Sequence, residues 1–374
     1  MRRPAVDVSV LTSGHDVADA RLHRLVSVLA SGHGLSVEVH GLGSAPNGPP
    51  EALVSGHPRR GLVRRFLDAT SMPWRSRGRV VVVLDPDLVL PALIRRFFAR
   101  WPRPGRVAQH VVVDVHEDYQ RLLADRDWAR GARLAMARLL VATATAGAHR
   151  ADLTVVADDH IPPLESARRL VVRNLPLPAL LPEPLPPRAE LRALYVGDVR
   201  RSRGLGTMLS VLEASPEWSL DVVGPVAAAD RLWLRQWRDT SPASERVRFH
   251  GRRPPREAWR LATGARVGLC LLQPTPAFVA AMPTKVLEYL MCGLAVLTTP
   301  LPRAAALVRE SGAGAVVDDV ESAAETLRRW AREPELLRAH HIAAREFRTT
   351  VQPQEEQYMH FGRAVSELVR EGAA

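Results

Sequence analysis

Residues 281–300 read AMPTKVLEYLMCGLAVLTTP, and Lys285 within them is the one lysine among the 51 Lys and Arg residues of the chain. A skew of that size is the mark of a GC-rich coding sequence, which writes Arg wherever a generic cation serves. A compact ammonium is not equivalent to a planar guanidinium, so the exception draws notice. The surrounding pattern predicts a helix. Pro283 cannot sit in a helix interior, and Thr284 after it is a good N-cap. Val286, Leu287, Leu290 and Met291 recur at helical spacing, and Gly293 closes the run. Residues 294–299 read as a short buried strand. Lys285 then falls in the first helical turn, where unpaired backbone N–H groups and the positive end of the dipole already attract anions. Glu288 projects from the same face one turn on. A carboxylate is repelled by phosphate, so Glu288 suits sugar hydroxyls instead, and the pair together suits a sugar nucleotide. Composition alone leaves a plainer reading open: an exposed Lys285–Glu288 pair worth a few tenths of a kcal/mol.

Outward from this stretch the chain alternates strands and helices. Before it, residues 267–272 read as a strand and 274–280 as a small apolar loop. Residues 191–196 predict another strand, followed by the glycine-bounded turn Gly197 to Gly204, which contains Arg200, Arg201 and Arg203. A helix over 205–213, strands over 220–223 and 247–250 and a Trp-bearing helix over 230–238 complete a second domain. Pro in the density of residues 174–187 can be neither helix nor central strand, so it marks an interdomain linker. The first domain opens with a strand over 6–11, a turn over 12–15, a helix over 16–30 and a strand over 35–40. This is a βαβ unit, hence a parallel sheet with helices on its faces. Residues 44–60 read as a mobile loop. Strands over 80–84 and 111–115 each end in a polar cluster, Asp85-Pro86-Asp87 and His116-Glu117-Asp118. Open α/β sheets place their ligands just past such strand ends. Strands over 153–156 and 170–172 follow. After 299 come two strand–helix elements, helix over 321–346, and an amphipathic helix over 355–370. The dinucleotide fingerprint is absent, because Gly14 belongs to no G-x-G-x-x-G. Asp19 and Arg21 are open to reading as a surface pair on the first helix. His110, Asp114 and His116 lie along one strand and its exit, not as a closed metal shell.

The block P-T-K-x-x-E-Y-x-x-x-G-x-x-V (residues 283–296) resembles the donor motif of retaining glycosyltransferases with the GT-B fold, of the family 4 or group 1 type. S-G-H-D-x-x-D-x-R (residues 13–21), the D-P-D-L and D-x-H-E-D blocks after the two strands, N-x-P before the linker and the Gly197 to Gly204 turn resemble further blocks of the same family, in the same order. The fold implied is α/β: two Rossmann-like, doubly wound parallel-sheet domains facing across a cleft. The expected bounds are 1–178 for the acceptor-side domain, 179–190 for the linker, 191–354 for the nucleotide-sugar domain, and 355–374 for a helix returning to the first domain. The resemblance implies that Glu288 binds the ribose and that Lys285 and Arg203, with Gly197 and Thr284, hold the phosphates. It implies that His116 lines the reacting centre, that the Gly14, His15 and Asp16 loop faces the cleft, and that Glu117 and Asp118 orient the acceptor or cap a helix. No metal and no cofactor is implied, the nucleotide-sugar being a substrate. Three positions depart from the family pattern: Ala280 stands where many members have Glu, Asp198 where they have Arg, and Arg203 where they have Lys. Phosphate contact is therefore expected to be shared with Arg200, Arg201 or Lys285.

The implied reaction moves a sugar from a UDP- or GDP-type donor to a hydroxyl of a glycan, lipid-linked or cell-envelope acceptor, with retained configuration. Alternatives are a sugar-nucleotide epimerase or hydrolase on the same fold, or a non-catalytic scaffold. At 374 residues, with 46% hydrophobic and 24% charged residues, the chain has the size and composition of two globular domains. Its two cysteines lie in apolar surroundings and predict neither disulfide framework nor zinc site. No apolar stretch serves as a signal peptide or a spanning helix. A cytoplasmic address, peripheral on the inner face of the plasma membrane, is expected. The net charge of +11 is scattered as Arg pairs with 5% aromatics and no nucleic-acid module, so an anionic membrane surface is the better partner.

Overall fold

A computed structural model of the chain describes residues 6–59, 61–99, 109–124, 130–185, 190–279, 284–350 and 355–372. The chain divides into two compact units, residues 1–174 with 355–374, and residues 175–354.

The first unit is built on a parallel sheet of seven described strands, β1 (Val8–Asp16), β2 (Val37–Leu42), β3 (Leu53–His57), β4 (Val80–Val83), β5 (His110–Val115), β6 (Leu153–Val156) and β7 (Arg169–Val171). Their order is β3-β2-β1-β4-β5-β6-β7. The crossovers include α1 (Ala20–Ser27), α2 (Leu62–Arg75), α3 (Pro86–Ala99), α4 (Tyr119–Ala124) and α5 (Gly131–Ala148). The central strands are unbroken β-branched runs because helices cover both faces. All four valines of β4 are fully buried.

Four expectations change here. β1 runs on to Asp16 and resumes its pairing with Leu42 after a break in register past Leu11, so residues 12–15 bulge from the strand instead of following it. The first helix starts at Ala20, where the Asp19 carboxylate accepts from the Arg21 and Leu22 amides. Arg21 is no surface residue: it is 4% exposed and tied to Asp114. Part of the stretch read as a loop is β3, which adds to the sheet edge beside β2.

The second unit repeats the plan with β8 (Arg192–Val196), β9 (Ser219–Val223), β10 (Val247–Gly251), β11 (Val267–Cys270), β12 (Ala295–Thr298) and β13 (Gly314–Val316). The order is β10-β9-β8-β11-β12-β13, again parallel. Its helices are α6 (Leu205–Glu213), α7 (Arg231–Thr240), α8 (Pro255–Arg260), α9 (Pro276–Val279), α10 (Thr284–Met291), α11 (Pro302–Ser311), α12 (Val320–Arg332) and α13 (Pro334–Thr350). α9 falls in the stretch read as a loop. The helix read over 321–346 is two, broken at Glu333 because Pro334 cannot continue α12. The tail after β12 runs helix, strand, helix in place of two strand–helix elements. Trp218 and Trp330 anchor the core on the β8–β9 side, where the Trp218 indole donates to Leu327 O at 2.9 Å. α14 (Glu355–Glu371) packs within the first unit, burying Tyr358 and Phe361, and its Tyr358 hydroxyl donates to Arg173 O at 3.2 Å.

In both sheets the strand order reverses between the first strand and its neighbour, β1 beside β4 and β8 beside β11. Doubly wound sheets bind ligands outside the carboxyl ends of the strands at this switch point.

Candidate functional site

Within the second unit, the switch point brings Gly197, at the end of β8, against the start of α10. Lys285 is 8% exposed, and its ammonium lies 4.0 Å from the centroid of the Tyr195 ring. A side chain at Gly197 would put a Cβ 3.2 Å from Lys285 Nζ, and Gly197 sits at φ +143°, so only glycine opens this space. Nζ is buried with no hydrogen-bond partner among the described residues. A buried ammonium is costly unless paired, and a ring face offsets only part of that cost.

What fixes Lys285 is Tyr289, one turn on. The Tyr289 hydroxyl accepts from Val196 N and donates to Leu269 O, both at 3.2 Å, so it ties α10 to β8 and β11 together. Gly268 makes the approach feasible: a Cβ there would lie 2.2 Å from the Tyr289 ring. The Trp259 indole closes the other side, 5.5 Å between ring centroids. In the sequence Tyr289 stands out only as a letter of the motif. An aromatic one helical turn after the lone lysine is the signal that could have found it.

Arg203 ends a short 3-10 turn, Arg201–Arg203, and its guanidinium lies 5.6 Å from the Phe278 ring centroid. Its Nε is buried without a hydrogen-bond partner among the described residues. Burial pushes the Cys270 thiol up, while the Lys285 charge, the Thr298 hydroxyl and the Arg203 charge pull it down. Arg200 and Arg201, the residues expected to share the phosphate contact, each face a carboxylate in the structure. Arg200 pairs with Asp198 at 3.0 Å, and Arg201 with Asp230 at 2.8 Å. Thr284 opens α10, and Glu288 is buried on it at 8% exposure. Ala280 and Pro283 lie outside the described residues.

Within the first unit, the switch point holds a buried charge network. Asp85, just past β4, accepts from Thr12 Oγ1 at 2.5 Å, Ser13 N at 2.9 Å and Gly14 N at 3.0 Å, which is what bends the 12–15 bulge around it. His15 Nδ1 lies 3.1 Å from Asp85 Oδ1. Burial works against the His15 imidazolium, yet the hydrogen bond and charge of Asp85, with Asp19 and Glu117, carry its pKa up to about 9. Burial likewise opposes the Asp85 carboxylate, but His15, Thr12 and the Gly14 amide hold it well below the usual range. On its other side His15 Nε2 meets His116 Nε2 at 3.2 Å. Burial lowers His116, and the neighbouring His15 and Arg21 charges outweigh part of what Asp114 returns. A charged His15 therefore donates at both nitrogens, and neutral His116 accepts at Nε2. His116 Nδ1 is buried with no hydrogen-bond partner among the described residues, 3.9 Å from Asp114 Oδ2. Behind it, Asp114 is clamped by Arg21 at 2.7 and 2.5 Å, with Arg21 Nη1 on Val172 O at 3.0 Å.

Gly14, His15 and His116 thus come together. Asp16 stands apart from them, its carboxylate accepting from Ala18 N at 3.0 Å. Glu117 is exposed, and Asp118 accepts from Gln120 N at 3.1 Å at the start of α4. His110 faces Asp152 at 3.6 Å, away from His116. No group of three or more His, Cys, Asp and Glu among the described residues is placed to hold a metal ion. Beside the bulge is a cavity of about 200 Å³ lined by Ser13, Gly14, His57, Arg59, Arg65 and Asp68 among others. Asp85 and Asp87 belong to the polar cluster read past the strand end, whereas Arg65 was not singled out by sequence. Ser13 Oγ donates to Asp87 at 2.6 Å, and Arg65 Nε lies 3.3 Å from the same carboxylate.

Residues 200–364 match a family model described as glycosyl transferase-like. No curated protein sequence matches the chain. Among solved structures, sucrose-phosphate synthase from Thermosynechococcus elongatus is 15% identical, with 98% of this chain and 100% of that chain covered and a TM-score of 0.66. WaaG, a glycosyltransferase involved in lipopolysaccharide biosynthesis, is 16% identical over 94% of this chain and 98% of its own, at TM-score 0.62. HepE from Anabaena, solved with UDP, is 12% identical over 98% of both chains, at TM-score 0.58. At such identities the likeness is one of fold: two parallel-sheet α/β units of the GT-B kind.

Proposed function

We propose that the chain is a retaining glycosyltransferase that takes a UDP- or GDP-type nucleotide-sugar in its second unit and delivers the sugar to a hydroxyl of a glycan, lipid-linked or cell-envelope acceptor. The observation that carries this reading is the buried, unpartnered Lys285 ammonium beside Gly197. A protein keeps such a charge where an anion arrives to pair it.

The roles follow from the chemistry. Negative charge grows on the diphosphate as the sugar–phosphate bond breaks, so Lys285 and Arg203 stabilise the transition state more than the ground state. The α10 start at Thr284 and the open backbone at Gly197 supply further donors and room. Glu288 receives the ribose hydroxyls. In the first unit, His116 lines the reacting centre, and His15, held by Asp85, packs against it. Glu117 and Asp118 border the acceptor side. The reaction so drawn calls for no metal and no cofactor. HepE has been solved with UDP and with UDP-glucose, which favours a UDP-sugar as the first donor to try.

The test is a thermal-shift series with UDP, GDP, ADP, TDP and their sugars, on the wild-type protein and Lys285→Ala. Ligand at 100 times its dissociation constant adds about 2.7 kcal/mol. A shift with one nucleotide series that the variant loses identifies the base. No shift with any of them removes the donor site and leaves a scaffold on this fold.

A further inference from the structure

Three helices on one side of the first unit carry their apolar residues outward. On α3, Leu90, Ile94, Phe97 and Phe98 are spaced as one helical stripe and are 43% to 62% exposed. The core-facing side of that helix is a different set, Leu88, Val89 and Ala92. On α2, Phe66, Leu67 and Trp74 are each exposed, while Ala69 and Met72 on the opposite side are buried. On α5, Met136 and Leu139 are 70% and 65% exposed. The stripes adjoin. α3 packs against both α2 and α5. The Trp74 ring lies 6.2 Å from Phe98, which lies 5.7 Å from Phe97. Gly147 lets α5 close onto α3, since a Cβ there would meet Val89 at 2.7 Å. A soluble surface rarely keeps so many large apolar side chains side by side uncovered.

Among the described residues of these three helices the exposed charges have one sign. Arg64, Arg75, Arg133 and Arg138 are exposed on these helices. α5 contains no acidic residue. The acidic residues of α2 and α3 are turned away: Asp68 lines the cavity, and Asp87 is held by Ser13 and Arg65. No helix among the described residues is long and apolar enough to cross a membrane.

We propose that the α2–α3–α5 face is a docking surface for a bilayer containing anionic lipid. Phe97, Phe98, Ile94 and Trp74 enter the headgroup boundary, and the arginines meet lipid phosphates. A second copy of the chain fits less well, because a two-fold contact on this face sets its arginines against their own images. The face stands on its own exposure and charge, independent of the sugar-transfer reading. It also makes α2 two-sided. Arg65, Asp68 and Met72 line the cavity on the opposite stripe, so a seated protein holds that cavity about one helix diameter, ~10 Å, from the lipid.

The experiment is co-sedimentation of the full chain with phosphatidylcholine vesicles that contain or lack phosphatidylglycerol. Two variants are compared, the exposed triple Ile94→Ser/Phe97→Ser/Phe98→Ser and the charge pair Arg133→Glu/Arg138→Glu. The wild-type protein is expected to pellet with the anionic vesicles alone, and each variant to lose about ten-fold or more in partitioning. Melting curves of the variants check the fold, and the charge pair decides if the triple does not fold. Wild-type protein that stays in the supernatant with both vesicle types overturns the proposal. So does unchanged binding by the variants, or a wild-type dimer that the triple dissolves, which would make the face a self-association surface.

Discussion

His15 and His116 meet through their Nε2 atoms at 3.2 Å, from two strands more than a hundred residues apart along the chain. The contact divides the labour between two like residues. His15, held by Asp85, is charged, and His116, boxed in by that charge and by Arg21, is neutral. Two neighbouring imidazoles cannot both be cationic at neutral pH at little cost, so the environment decides which one is.

The charged member gives the fold a pH dependence of known sign. His15 moves from 6.5 to about 9 on folding, so the folded state binds the extra proton. The stability it contributes is fully present below 6.5 and is lost as pH rises through about 9. Urea unfolding at a series of pH values should show the wild-type protein weakening across that window. His15→Gln should flatten the slope there. An equal slope in both proteins would contradict the assignment.

Removing the charge of Lys285 while keeping its stem should stabilise the ligand-free protein. Lys285→Met leaves the packing over Tyr195 and deletes a buried ammonium, for a gain of about 1 kcal/mol in denaturant unfolding. The same variant should lose the nucleotide-induced thermal shift. Gain without ligand and loss with it are the signature of a site that stores cost for its ligand. A destabilised Lys285→Met would point to a structural role.

Tyr289→Phe removes the hydroxyl that joins Val196 N and Leu269 O. It leaves the partly buried Val196 amide without that acceptor, at a cost of about 1–3 kcal/mol. Because Tyr289 positions α10 against β8, nucleotide affinity should fall as well, although Tyr289 itself need touch no ligand. Calorimetric binding with Tyr289→Phe and with Trp259→Phe separates this from general loosening: only the former should weaken nucleotide by about ten-fold.

Asp114→Asn unpairs Arg21, which is 4% exposed. A buried charge left without its partner costs about 3–5 kcal/mol, so the melting temperature should drop sharply. The double variant Asp114→Leu/Arg21→Met, which removes both charges, should recover most of that loss. A double variant as unstable as the single one would show that the pair does more than neutralise itself.

The α/β class, the parallel sheets, the placement of Lys285 on the first turn of a helix and the polar clusters past β4 and β5 were legible in the sequence. Each is written in local pattern: β-branched runs, helical spacing, Pro and Gly boundaries. The 12–15 bulge, the edge strand β3 and the break before α13 were read less well. Pairing with distant strands overrides local propensity in the first two, and one proline among many arginines decides the third. The tertiary structure alone decided which charges are spoken for. Asp198 pairs with Arg200 and Asp230 with Arg201, while Asp85 holds His15 against His116. It also turned ordinary-looking apolar residues of α2, α3 and α5 outward. The physical reason is common to all of these. A sequence states what each residue is, but its ionisation and exposure follow from neighbours brought within a few ångströms by the fold, where Coulomb and desolvation energies are large.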